Sequence, residues 1–310
     1  MHSDLNADMH NINGDQDTGS MNTVFDKTHR FISKKIVHTV LWFDDFFYDE
    51  RILDEETARS SIRLKNGLRT VEGGDLSSSM KFHMNIRLKN LHDKLRLIIS
   101  GENENDPADP LPKDQIEPGF EDTDSDNNLF AGTRYNFVHT FRTLLFAETG
   151  LESDIPLIPY LKARCRLRFP LSSVLYIQLA EAVIWKKSHR SEKITEFDLS
   201  YLIAKQKTLE LNNMLAFKNP EDGIDWGSII DFRHKLSDKI ALSYYTGASG
   251  TTQPESVINT YHAGCKFRRM FYRDWLFYEI EPENIWSRND TGRYISEAAV
   301  TLRVEIHFGN

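Results

Sequence analysis

Cysteine is nearly absent: 310 residues hold two, too few for a disulfide framework or a four-cysteine zinc site, and no C-x-x-C-H run offers attachment for a c-type haem. Metal and redox chemistry therefore find little to build on. Also absent is any run of about eighteen consecutive apolar residues, so no helix of this chain is apolar enough to cross a bilayer. That absence does not extend to a transmembrane β-barrel, whose strands alternate apolar and polar residues and cancel in a sliding average. With 40% apolar, 27% charged and 11% aromatic residues the chain is neither disordered nor collagen-like.

The net charge of -8 is concentrated in one place. Between Glu102 and Asn127 ten carboxylates face the single Lys113, and four of the ten prolines fall in the same stretch. It offers too little apolar surface to repay ordering and reads as a long solvated loop. Residues 1–21, rich in Asp, Asn and Gly, read as a polar tail. They show no charged n-region, apolar h-region or small-residue cleavage site, so the chain as written reads as a mature form or as one kept in the cytoplasm.

From about residue 58 onward the hydrophobic period is two. Ala298, Val300, Leu302, Val304, Ile306 and Phe308 share one face, with Thr301, Arg303, Glu305 and His307 on the other. Met80, Phe82, Met84, Ile86 and Leu88 alternate with Lys81, His83, Asn85, Arg87 and Lys89. Leu161, Ala163, Cys165, Leu167 and Phe169 alternate with Lys162, Arg164, Arg166 and Arg168, and Ile62, Leu64 and Leu68 with Arg63, Lys65 and Arg69. Continuing the count gives strands near 93–102, 128–139, 141–152, 173–187, 193–204, 207–218, 225–236, 238–249, 256–272 and 274–287, about fourteen in all. Most exceed the five or six residues usual in soluble sheets and suit tilted strands crossing a bilayer.

Short turns such as His139-Thr140, Gln206-Lys207 and Arg273-Asp274 alternate with longer polar connections, including Glu72–Ser78, Asn219–Asp225 and the acidic stretch. An even number of antiparallel strands with short turns at one rim and long loops at the other predicts a closed, all-β transmembrane barrel over residues 58–310. About fourteen strands enclose more volume than apolar side chains fill, so the charged ladders are expected inside and the apolar rows in lipid. Tyr201, Tyr244, Trp226, Tyr278 and Trp286 then face outward as candidates for an aromatic girdle. Residues 22–57 differ: Phe25, Ile32, Ile36, Phe43 and Phe47 recur at helical spacing and predict an amphipathic helix at the rim or in the mouth of the barrel, or one that docks a partner.

Over residues 58–310 the chain resembles bacterial outer-membrane β-barrel proteins. Its last strand, Ala298–Phe308, is similar to the signal that family offers its assembly machinery, although Gly309 and Asn310 follow the aromatic where the family usually ends on it. Trp42–Glu50 and Tyr272–Pro282 also resemble a family of uncharacterised barrels from Gram-negative bacteria. The resemblance implies a porin-like protein of the bacterial outer membrane, with the lipid bilayer and the assembly machinery as partners.

Parity places Arg63, Lys65, Arg69, Lys81, Arg87, Lys89, Arg96, Arg134, Lys162, Arg164, Arg166 and Arg168 in the lumen of the first six strands, with Glu148 the main acid. The second half mixes Glu196, Asp198, Glu210, Asp231, Glu279, Glu281, Glu283 and Glu305 with Arg233, Lys235, Lys266, Arg268 and Arg303. Pivoting on the Arg273-Asp274 turn pairs Arg268 with Glu279 and Lys266 with Glu281, whereas the basic half shows no such partners. A wall of one sign in a low-dielectric tube raises the local concentration of anions, which suggests a passive, monomeric channel for small anionic solutes. Asp106, Asp109, Asp114, Glu117, Glu121, Asp122, Asp124 and Asp126 would form a constriction if the acidic loop turned inward. The competing reading is a scaffold barrel, closed by ion pairs, that holds a partner protein in its lumen or on its loops.

Enzymatic readings are weak. No G-x-S-x-G motif occurs, and His83, His262 and His307, though inward by parity, have no matched serine in register. Asp122-Thr123-Asp124-Ser125-Asp126 opens like a calcium loop but lacks Gly at the sixth place and Glu at the twelfth. No metal, cofactor or catalytic residue is expected. Arg164, Arg166 and Arg168 would suit phosphates on an open sheet, but enclosure argues against nucleic acid.

Overall fold

The structure, a computed structural model, describes residues 39, 40, 42, 43, 46, 47, 60–74, 76–88, 94–104, 127–153, 156–187, 191–217, 223–272, 275–289 and 291–308. The strands are β1 (Ser61–Val71), β2 (Leu76–Arg87), β3 (Leu95–Glu104), β4 (Asn127–His139), β5 (Thr143–Glu152), β6 (Ile158–Pro170) and β7 (Leu175–Lys186), followed by β8 (Glu192–Ala204), β9 (Lys207–Phe217), β10 (Ile224–Ser237), β11 (Ile240–Thr251), β12 (Val257–Met270), β13 (Leu276–Arg288) and β14 (Tyr294–Phe308). Each pairs antiparallel with its neighbours in sequence, and β1 pairs with β14, from Ile62 opposite Phe308 to Val71 opposite Ala299. Closure leaves no unpaired sheet edge, which a bilayer requires because no water is present there to satisfy backbone groups.

Strand alternation decides which face meets oil. Leu161, Val183 and Leu302 are 50%, 47% and 49% exposed, while Arg166, Arg168 and Glu196 are each 1% exposed. In a closed sheet of period two the buried set is the inner one, so the apolar rows face outward and the charges inward. Exposed aromatics bracket the outer apolar rows. Phe137, Phe141, Phe169, Tyr201, Tyr244, Phe271, Tyr272 and Phe308 lie at the rim of the short turns, and Trp185, Phe217, Tyr261 and Tyr294 toward the opposite rim. Two girdles enclosing an apolar band are the pattern of a barrel anchored at both bilayer interfaces. Trp226, Tyr278 and Trp286 are half-buried on the same outer face.

Two features depart from the sequence reading. The connection from β1 to β2 is a tight turn rather than a long loop: Gly73 takes φ 74°, a left-handed conformation that glycine adopts without steric cost, and the Gly74 N–H donates to Val71 O at 3.1 Å. β3 runs to Glu104, so the backbone of Glu102–Glu104, read as the start of the acidic loop, pairs with β2. Register shifts occur in β4 between Asn136 and Val138, in β8 between Leu202 and Ala204, in β10 between Lys235 and Ser237, and between β11 and β12 at Ser249 and Gly250. The first three sit near the short-turn rim and the fourth near the long-loop rim, so an extra residue bends a strand at either end without breaking the wall. Both ends of the barrel, Ser61 and Phe308, lie at that rim.

The helix expected over 22–57 falls mostly on residues outside those described, as does the tail 1–21. No helix is defined among the described residues, although Thr39, Val40, Trp42, Phe43, Phe46 and Phe47 have helical backbone.

Candidate functional site

The lumen gathers almost all the chemistry of this chain. Moving an ion pair out of water costs several kcal/mol per ion, roughly, so buried charges persist only where partners and hydrogen bonds replace the lost solvent. On β4–β8 those partners are present. Arg134 Nε donates to Glu148 Oε2 at 2.8 Å, and its guanidinium lies 4.2 Å from the Phe146 ring centre. Arg164 grips Glu196 with both terminal nitrogens, at 3.1 and 2.8 Å, reaching across β7 between them. β7 permits this because it presents Ala180 and Ala182 inward at that level. Arg168 Nε donates to Gln178 at 2.7 Å, and Gln178 Nε2 donates on to Asp198 at 3.1 Å. Lys186 and Glu152 pair at 2.9 Å nearer the loop rim.

The expectation that the basic half lacks partners is therefore corrected. Adjacent-strand register alone misses Glu196, because on the concave side of a barrel long side chains meet over an intervening strand.

A second network covers β12–β14 and β1. Glu279 receives Arg303 at 3.0 Å and Arg268 at 3.3 Å, and Arg268 reaches Glu305 at 2.5 Å across β13. Arg303 also pairs with Glu281, and Arg69 with Glu283 across β14. Lys266 stands 3.8 Å from Glu279 and 3.6 Å from Glu281, so the pairings Arg268–Glu279 and Lys266–Glu281 are both present. Between the networks, Arg233 bridges Glu210 and Asp231, each at 3.0 Å, and Ser243 donates to Asp231 at 2.5 Å.

Each network contains a tyrosine that the sequence reading missed. Tyr160 and Tyr245 share parity with the charged ladders, and that parity was the available signal. The Tyr160 hydroxyl donates to Glu148 Oε1 at 2.8 Å, and the Tyr245 hydroxyl to Glu281 Oε1 at 2.8 Å. Both hydroxyls sit against glycine: a Cβ on Gly132 would come within 2.5 Å of the Tyr160 hydroxyl, and one on Gly264 within 2.6 Å of that of Tyr245. Glycine there makes room for the tyrosine to approach the backbone closely.

Lys162, Arg164, Arg166, Arg168, Arg134, Arg96 and Arg69 are buried in the lumen, with Glu279, Glu281, Glu283 and Glu305. Arg63, Lys65, Lys81 and Arg87 are half-buried on the same face of β1 and β2. There Lys65 lies opposite Lys81, Arg87 opposite Arg96, and Arg96 opposite Arg134, so like charges face one another across three ladders. Lys89 and the acidic-loop residues Asp106, Asp109, Asp114, Glu117, Glu121, Asp122, Asp124 and Asp126 lie outside the described residues. His262 is buried, and His307 faces the lumen beside Glu305 at 2.5 Å. Cys165 and Cys265 are free thiols on the outer face. No group of side chains that would hold a metal ion occurs among the described residues.

Along the axis the inner wall is layered. Toward the loop rim it is partly apolar, with Ala182, Ile184, Ile194, Ala216 and half-buried Met214 in one cluster. The ion-pair networks fill the middle. At the turn rim the described residues of the N-terminal segment enter the mouth: Val40 packs on Tyr176, and Phe43 and Phe46 on Ala241 and Phe277. Lys235 lies 3.9 Å from the Trp42 ring centre and 2.6 Å from Asp238 in the turn after β10. That hydrogen bond and charge hold the Asp238 carboxyl below its ordinary value.

No protein-family model matches the chain, and no curated protein matches it. Solved structures do. The CymD monoaromatic hydrocarbon channel aligns with a TM-score of 0.51 at 7% identity, over 86% of this chain and 92% of that one. The outer membrane channel DcaP of Acinetobacter baumannii aligns at 0.47 and 9% identity over 81% and 96%, and the KdgM porin in complex with disordered oligogalacturonate at 0.40 and 10% identity over 80% and 99%. At these identities the likeness is one of fold. The fold is that of bacterial outer-membrane β-barrels, a class defined here by closure, girdles and inward charge.

Proposed function

We propose that this protein is a passive channel of the bacterial outer membrane for small anionic solutes. The observation that supports the reading is the basic excess on the inner face of β1–β4, where Arg63, Lys65, Arg69, Lys81, Arg87, Arg96 and Arg134 share one face and Lys65 with Lys81 and Arg87 with Arg96 and Arg134 stand in register. A wall of predominantly one sign in a low-dielectric tube raises the local concentration of anions. Monoaromatic hydrocarbons, the cargo named for CymD, do not suit a wall of this charge. The acidic stretch from Asp106 to Asp126, which lies outside the described residues, is the candidate constriction. The lipid bilayer is the partner of the outer face. β14, ending on outward Phe308, is the segment offered to the assembly machinery. No step of this function calls for a catalytic residue or cofactor.

One observation favours the scaffold reading. Arg164, Arg166 and Arg168 are 5%, 1% and 1% exposed, which an open, water-filled pore would not produce. Planar-bilayer recording on the reconstituted full chain separates the two. The channel reading predicts unitary steps with a reversal potential on the anion side, and an anion preference that increases when residues 105–126 are deleted. Absence of steps, or a cation preference that survives the deletion, sinks it and leaves the scaffold.

A further inference from the structure

The outer wall is apolar on one side of the barrel and carries a charged pair on the other. From Ala298 to Phe308 the outward positions of β14 are all apolar. On β7 the outward row is Leu175, Ile177, Leu179, Glu181, Val183 and Trp185, and the fourth of these is a carboxylate. It lies deep in the apolar band. Leu175 stands opposite Tyr201 of the turn-side girdle and Trp185 belongs to the loop-side girdle, with Glu181 between them and exposed Leu179 and Val183 on either side. Among the described residues Glu181 is the one carboxylate on the outer face between the girdles.

An ionisable group at that depth is costly where hydrocarbon is its solvent, and membrane proteins keep such groups where they meet partners. Within the chain, Thr195 Oγ1 donates to Glu181 Oε1 at 3.0 Å, and Lys193 Nζ stands 3.4 Å from Oε2. These contacts do not enclose the pair: the side chains of Glu181 and Lys193 remain 48% and 54% exposed. A carboxylate accepts from about four directions, so acceptor positions of Glu181 still point into the bilayer. Polar groups continue along the same face. Asn213 on β9, diagonal to Thr195, accepts from Ser228 Oγ of β10 at 2.9 Å, and its Nδ2 donates to Phe197 O at 3.3 Å. Glu181, Thr195, Asn213 and Ser228 thus cross the adjacent strands β7 to β10 on the lipid-facing side. The outward pair Asn284 and Ser296, on β13 and β14, differs in carrying no charge and in bonding within itself at 2.9 Å.

We propose that the outer face of β7–β10, centred on Glu181 and Lys193, is the interface through which two copies of this chain pair in the membrane. Charge complementarity selects a second copy as the occupant. The patch carries both signs side by side, so a two-fold axis along the membrane normal, between β7 and β8, sets Glu181 of each copy against Lys193 of the other. Each carboxylate then lies between two ammonium groups, and hydrocarbon is displaced from the exposed half of both pairs. The partner must itself lie within the apolar band, where helices and closed barrels are the stable structures, and a second barrel of the same kind meets that condition at the right depth. The proposal concerns the outside of the wall and stands whether or not the lumen conducts.

The test uses the full chain with Cys165→Ala and Cys265→Ala, reconstituted in lipid vesicles at high dilution. Val183→Cys, outward beside Glu181 and opposite Lys193, is compared with Leu302→Cys, outward on β14 at the far side of the barrel. Oxidation with copper phenanthroline is expected to give at least fivefold more disulfide-linked dimer at 183 than at 302. Adding Glu181→Leu/Lys193→Met to Val183→Cys is expected to lower that yield at least fivefold, while heat-modifiable migration on gels shows the barrel still folded. A readout free of the interface cysteine is energy transfer between copies labelled at Glu255→Cys, exposed in the connection from β11 to β12. It is expected to exceed random-collision transfer and to fall to that level in Glu181→Leu/Lys193→Met. Equal disulfide yields at 183 and 302, none at either included, overturn the interface and mean that lipid covers this face as it covers β14. Yield or transfer undiminished in folded Glu181→Leu/Lys193→Met overturns it as well.

Discussion

The two charged sectors of the inner wall use the same parts in different proportions. On β4–β8, arginines are many and carboxylates few: Arg134 has Glu148, Arg164 has Glu196, and Arg168 is linked to Asp198 through the amide of Gln178. On β12–β14, three glutamates alternate along one strand, Glu279, Glu281 and Glu283, with Glu305 beside them, and Arg268 and Arg303 are each shared between two carboxylates. Each sector has a tyrosine, set against glycine, that donates to a carboxylate. The difference teaches where charge loss is costly. Removing Arg164 from the first sector takes a cation from one carboxylate, and removing Arg303 from the second takes one from two carboxylates that are neighbours on the same strand.

The largest expected effect follows from that difference. Arg303→Met takes away the cation nearest to both Glu279 and Glu281, leaving the two to Arg268 and the more distant Lys266, and is expected to cost about 3–5 kcal/mol. Urea unfolding of the refolded protein in detergent measures it, and equal cost from Arg303→Met and Arg164→Met would break the comparison. Next, Arg164→Met is expected to cost about 3 kcal/mol, and adding Glu196→Met to recover most of it, since an apolar pair of similar volume leaves no orphaned charge. A double variant no more stable than the single one would mean that Glu196 has other work to do. Smaller still, Tyr160→Phe and Tyr245→Phe each remove one hydroxyl donor and are expected to cost about 1 kcal/mol. A cost confined to one of them would show that the two tyrosines are not equivalent.

Most of the fold was legible because period two is strict here. Residues 207–218 were read as a strand and β9 is Lys207–Phe217; residues 225–236 were read as one and β10 is Ile224–Ser237. The inward placement of Arg166 and the pairing of Arg268 with Glu279 likewise follow from parity and one turn. What stayed hidden depends on curvature. Arg164 with Glu196, Arg268 with Glu305 and Arg69 with Glu283 each span a strand between them, and nothing in a single strand's pattern says how far a side chain leans across a concave wall. The seat of Phe43 was illegible for a related reason: helical spacing reports an apolar stripe but not the surface that receives it.

The smallest predicted effect lies at the rim, outside both networks. Asp238 has its carboxyl held below the ordinary 3.8 by Lys235, so its contribution is present above that value and is lost as pH falls through the lowered one. Wild type and Asp238→Asn are therefore expected to differ slightly and by a constant amount from neutral pH down to 3.8, converging only below it. Thermal unfolding in detergent at a series of pH values measures this. Convergence near neutral pH would contradict the contact between Lys235 and Asp238.

The claim beneath all of this is that lipid touches the outer rows and the charged rows face the lumen, and neighbouring residues in the middle of β12 test it most directly. Cys265 faces out and Lys266 faces in. With Cys165→Ala throughout, a fluorophore is attached either to Cys265 or, after Cys265→Ala, to Lys266→Cys, and the protein is reconstituted in lipids brominated on their acyl chains. Strong quenching at 265 and almost none at 266 is the predicted result. Strong quenching at 266 with 265 unaffected would turn the barrel inside out and contradict the account.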